Sequence, residues 1–371
     1  MTKTVIDRAL KLPDYAKITI CMIGIFVVIW VLYITQFIVV PLVFALVIAI
    51  LLSPVVNFLV RKKFNRNLSI VLSIFLALLL IIGVGGLIVS QISQLSESWP
   101  LLIEKFSVIL NESISKVADL LNINPQKVHD WIAENKGELL NINGALLGQT
   151  LVTVGSVIAV ALLIPVYIFL ILFYQPIILD FIYRVSGEKN KAQVKGIVTQ
   201  TKTVVQSYLV GLLIETGIVA MLDTAVLLIL GVDYAILLGI LAALLNLIPY
   251  IGGIVGVGLP MVVAFATSPS GWYALYVMGG FYIIQLIDNN YIVPKIVASK
   301  VKINALFSII VVLAGNALWG IPGMFLSIPL LAIVKLIFDN IESLKPWGFL
   351  LGDTMPPLIT IKPIFKKIKS Q

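Results

Sequence analysis

Three carboxylates stand in apolar surroundings where an ionised group is costly: Glu215, Asp223 and Asp288. Glu215 and Asp223 alone interrupt an otherwise uncharged run between Lys202 and Asp233. Carboxylates at such positions mark proton or cation paths. The two are eight residues apart, a net rotation of about 80° on a helix, so both can face one cavity. The plainer reading is a neutral Glu215 hydrogen-bonded to a neighbouring helix, with Asp223 reaching the outer interface. Asp288, followed by Asn289 and Asn290, falls near the inner end of its segment. There it is expected to cap the helix or pair with Lys295, and it completes the set of candidate coupling-ion residues.

A second group of residues can bind without reacting. The stretches Asn246-Leu-Ile-Pro249-Tyr-Ile-Gly252-Gly253 and Gly315-Asn316-Ala-Leu-Trp-Gly320-Ile-Pro322-Gly323 each place an Asn shortly before Pro and Gly. Proline removes a backbone donor and glycine frees φ, so a helix breaks there and exposes unpaired main-chain groups. An amide side chain beside the break adds both donors and acceptors. The candidate substrate-binding residues are therefore Asn246, Pro249, Gly252, Gly253, Asn316, Pro322 and Gly323. Gly and Pro can also serve only for kinks and close helix packing; their recurrence with Asn in two separate segments favours a site.

Other chemistries are poorly supplied. Cys21 is the only cysteine and His129 the only histidine, so a cysteine-based metal site or a nucleophile with a histidine base is not expected. No P-loop pattern is present, and ATP-driven pumping by this chain alone is not supported. The expectation is no enzyme, no cofactor and no metal.

The elements that must carry these residues follow from composition. A hydrophobic fraction of 60% with 12% charged residues lies far from soluble domains. Uncharged windows long enough to cross a bilayer recur, between Lys17 and Arg61, Arg66 and Glu97, Glu138 and Asp180, Asp233 and Asp288, and Lys302 and Lys335. The net charge of +8 sits in short Lys/Arg clusters beside these windows, as topology signals rather than a nucleic-acid surface. Arg61, Lys62, Lys63 and Arg66 place that loop and the N-terminus on the cytoplasmic side. The first run lacks a small-residue cleavage site, so an uncleaved first span is expected.

Residues 1–17 form a cytoplasmic tail and 18–90 three spans, turning first between Thr35 and Pro41. Residues 91–150 are net acidic, with Trp99, Leu102, Ile103, Phe106, Leu110 and Ile114 at helical spacing, and form an amphipathic extracytoplasmic insert. Residues 151–206 hold a fourth span, about 151–174, and an amphipathic cytoplasmic helix. Residues 207–340 form the transport core, and 341–371 a basic cytoplasmic tail. Within the core, Asp233 is outside and Lys295, Lys300 and Lys302 inside. One clean span, 272–293, accounts for that crossing, so 234–267 must begin and end outside. By the same parity 303–338 begins and ends inside. Each has a breaker at its centre and is expected to be a helical hairpin, the two related by inverted topology with a site between their tips, as in secondary transporters.

The run Gly231-Val-Asp-Tyr-Ala-Ile-Leu-Leu-Gly239, the Asn246 to Gly252 stretch, Pro294-Lys295 and the segment from Gly315 to Pro329 resemble the autoinducer-2 exporter family, also called the PerM-like permeases. Leu212 departs from the pattern, where many members have Gln, and Ala305 replaces a frequent Pro. The resemblance implies an inner-membrane protein of about eight transmembrane segments that assembles as a homo-oligomer, a pentamer being one arrangement. It implies either export of a small polar solute such as the signal autoinducer-2, or exchange of sodium or lithium for protons. The expected fold class is thus an all-α integral membrane protein with two re-entrant or broken hairpins and a small outer insert. Its partners are the bilayer and a small polar solute or monovalent cation, with no nucleic acid.

Overall fold

The computed structural model describes residues 13–90, 105, 108, 142–248, 252–297 and 303–353. Pro249, His129, most of the expected insert and the tail beyond 353 lie outside the described residues. Helices account for almost all that is described, and the only β-type pairing there is an isolated bridge between Ile303 and Gly352. Six described helices are long and apolar enough to cross a membrane.

Helix α1 spans Asp14–Ile34 and α2 spans Gln36–Arg61. The turn expected as far as Pro41 is one residue, Thr35, at φ −88° and ψ 13°. Its hydroxyl donates to the Val31 carbonyl at 2.6 Å. Pro41 instead lies inside α2, buried, where its missing donor leaves one carbonyl of the preceding turn without its helical partner. Lys63, at φ 70°, ends the next turn, and α3 runs Arg66–Ser90.

Helix α4 spans Ile142–Val185 and α5 spans Gly187–Ile229. The first extends beyond the expected 151–174 in both directions. In α5 the expected amphipathic helix and the fifth span are one rod of 43 residues, about 65 Å at helical rise and twice a bilayer core. Ala45, Ala49, Val56, Ile70, Ile74, Ile168 and Leu172 knit α2, α3 and α4 together. Small side chains allow this close approach. The buried Ser69 and Ser73 hydroxyls donate back to Asn65 and Ser69 carbonyls at 3.0 and 2.7 Å, so neither is left unpaired.

The second half folds around α5. After Gly231 and Tyr234, both at positive φ, come α6, Ala235–Asn246, and α7, Gly252–Thr267. These two fold back on each other as the first hairpin. Helix α8, Trp272–Ile287, then widens into a π-helix over Asp288–Val297, so the clean span expected over 272–293 changes its winding at Asp288.

Helix α9, Ala305–Asn340, contains one non-helical residue, Gly320, at φ 64° and ψ −144°. There the chain reverses. The Ser327 hydroxyl reaches the Val311 carbonyl at 2.9 Å across the seam of a second hairpin and the Gly323 carbonyl at 2.6 Å on its own arm. Its base is closed by the Ile303–Gly352 bridge and by Asn304 N–H donating to Leu351 O at 3.0 Å, just beyond the short α10, Lys345–Leu351. Both ends of this hairpin therefore lie on one side, as charge parity requires.

Candidate functional site

Where α5, the first hairpin and α8 meet, a small cavity is lined by Val219 and Asp223 of α5, Ala242 and Asn246 of α6, Gly252, Gly253, Gly256 and Val257 of α7, and Phe281, Ile284, Gln285 and Asp288. It offers about 20 Å³ to the centre of a water molecule, room for about one water. Val219 lies ten residues from the end of α5 at Ile229, about 15 Å at helical rise and so about halfway through a bilayer core.

The break between α6 and α7 makes this cavity. A Cβ on Gly252 would come within 2.2 Å of Asn246 Cα and 2.3 Å of Leu245 O, so only glycine lets α7 start against the end of α6. That approach leaves the Asn246 amide pointing at α8. Its Nδ2 donates to Asp288 Oδ2 at 3.2 Å.

Asp288 is 2% exposed, and its Oδ1 is buried without a hydrogen-bond partner. It is neither an interfacial cap nor paired with Lys295, whose ammonium sits over the Tyr291 ring at 4.0 Å. The π-helix that begins at Asp288 turns the two side chains to different faces, because its wider winding changes the register between positions seven apart. Such wider turns gather at functional sites.

Asp223 and Glu215 are buried, at 3% and 6% exposure. Asp223 faces the cavity. Glu215 does not line it, although both carboxyl groups lie within electrostatic range of Asp288. Gln285 escaped the sequence reading. Its signal was present: an amide inside an apolar span, three residues before Asp288 and so on the same helical face.

The second hairpin behaves differently. Gly315 and Gly323 touch through their backbones, and a Cβ on either would collide with the other's main chain. Gly323 lines a separate groove beside α1. Asn316 and Pro322 are exposed and line neither space. The six candidate binding residues that the structure describes thus divide: Asn246, Gly252 and Gly253 join Asp223 and Asp288, Gly323 lies apart from them, and Asn316 and Pro322 stand outside both. Among the described residues beside the two breaks the packing is apolar, where a polar chamber was expected. Leu247 from the first and Trp319 from the second pack on the cluster of Val205, Tyr208, Leu209, Leu212 and Leu326, because the residues flanking the two breaks are themselves large and apolar.

A multi-pass helical membrane protein with interrupted helices and carboxylates buried beside the break has the architecture of a transporter. The sequence pattern of the AI-2E family transporter matches residues 19–343, and the chain belongs to that family. It is similar to YueF of Bacillus subtilis, 27% identical over 313 residues, covering 77% of this chain and 79% of YueF. YrrI of the same organism is 24% identical over 264 residues, covering 71% and 73%. The AI-2 transport protein TqsA of Escherichia coli is 31% identical over 140 residues, covering 38% of this chain and 40% of TqsA.

Proposed function

We propose that this chain is a secondary transporter that exports a small polar solute, such as the quorum-sensing signal autoinducer-2, across the bacterial cytoplasmic membrane. It works without a catalytic step or cofactor, as a homo-oligomer with both termini cytoplasmic. The observation that carries the reading is the cavity where Asp223, Asn246, Gln285 and Asp288 converge at a helix break. Amide and carboxyl groups there can replace the hydration shell of a polyol. The family and the name of TqsA support that solute class. A solute larger than one water needs the first hairpin to move away from α5 and α8, and the short arms of α6 and α7 suit such a shift.

The water-sized cavity and the unpartnered Asp288 oxygen favour a second reading, a sodium or lithium/proton antiporter in which the cavity takes one bare cation on hard oxygen ligands. Purified protein in liposomes separates the two. Uptake of autoinducer-2 into inside-out vesicles, abolished by Asn246→Ala, supports the solute. Cation-driven proton movement that vanishes in Asp288→Asn and Glu215→Gln supports the antiporter. If neither flux exceeds that of empty liposomes, both readings fall.

A further inference from the structure

A groove of about 610 Å³ separates α1 from the second hairpin. Phe26, Trp30 and Tyr33 of α1 form one wall, and Val311, Leu318 and Trp319 of α9 form the other. Two of the polar groups along it are engaged within the protein: the Trp319 indole N–H donates to Leu32 O at 3.1 Å, and the Ser327 hydroxyl bonds the Val311 carbonyl across the hairpin seam and the Gly323 carbonyl on its own arm. No charged side chain lines it. A hydrated solute or an ion would lose its water there and find no charged group to replace it.

The groove is continuous with the lipid-facing surface. Phe26, Trp30 and Tyr33 are 69%, 56% and 53% exposed, and none of the membrane-capable window of α1 is buried. An apolar space of this size open to the bilayer forfeits dispersion contacts if left empty and is too apolar to hold water. Hydrocarbon from the surrounding bilayer restores those contacts without exposing a polar group. We propose that this groove binds one acyl chain of a membrane phospholipid, wedged between α1 and the tip of the second hairpin. The chain then completes the packing that α1 lacks, and α1 is held to the hairpin through the lipid as well as through the Trp319 bond.

The test uses the full-length protein in phospholipid vesicles containing a phospholipid with a photoactivatable diazirine on its acyl chain, with adducts mapped by mass spectrometry. Adducts on Phe26, Trp30, Val311 and Leu318 should exceed those on the equally lipid-accessible Leu80 and Ile82 of α3 by severalfold. Filling the groove with Ala314→Phe, or with Ala317→Phe if the first variant does not insert, should lower the groove adducts severalfold and leave those on α3 unchanged. Equal labelling of groove and α3 in the unmodified protein would reduce the groove to ordinary boundary lipid and overturn the proposal. So would an unlabelled groove whose Trp30 cross-links to a second copy of the chain.

Discussion

The two hairpins share a grammar of Asn, Pro and Gly yet end in opposite surroundings. The first is clasped by α5 and α8, which bring Asp223, Gln285 and Asp288 to its break. The second is flanked by α1 and by largely apolar parts of α2 and α5, and no charged side chain lines the groove at its break. Breaking a helix is therefore not enough to make a polar site. The neighbours must supply groups that compensate the exposed main chain.

The largest expected effect treats the hairpins as equals. Gly252→Val drives a Cβ into the Asn246 backbone, and Gly323→Val drives one into Gly315 O. Each clash is with main chain that cannot rotate away, so each variant should lose folded, monodisperse protein, as read by size-exclusion chromatography in detergent. A well-folded Gly323→Val would show the second hairpin to be looser than its seam implies.

The next effect separates them. Asp288→Asn keeps a polar group beside Asn246 but removes a charge, and transport in liposomes should fall at least about tenfold with thermal stability nearly unchanged. Asn316→Ala should leave the same flux within about twofold, because Asn316 is exposed and lines neither cavity. Equal losses in both variants would break the contrast between the hairpins. The smallest effect is Trp319→Phe, which removes the hydrogen bond to Leu32 O and keeps most of the ring. A cost of about 1 kcal/mol is expected, visible as a modest drop in melting temperature and faster proteolysis after α1.

Much of this was legible in the residues. Uncharged windows pointed to long apolar helices, and charge parity required two segments to fold back, the one interrupted at Gly320 and the other between the end of α6 and the start of α7. The site was legible only in part. Asp223, Asn246, Gly252 and Asp288 stand out by type, but nothing local says which neighbour a break will face. Asn316 looked like Asn246 because its neighbours in sequence match; its neighbours in space do not. The change of winding at Asp288 was hidden as well, since a π-turn depends on tertiary packing more than on propensity. The single-residue turn at Thr35 and the continuity of α5 escaped for a related reason. Both depend on how long helices settle against one another rather than on a breaker in the chain.

That unbroken α5 has a mechanical consequence. At one end it presents Asp223 to the cavity. Near the other, its Gln193 donates to Asn340 O at 2.5 Å, and its Gln200 accepts from the Asn340 amide at 3.3 Å, at the foot of the opposite hairpin. A stiff shaft of about 65 Å tilted by about 5° swings its far end by about 6 Å. Any tilt of α5 at Asp223 is thus carried, enlarged, to the stretch that holds Asn340, so the two hairpins share one rigid shaft.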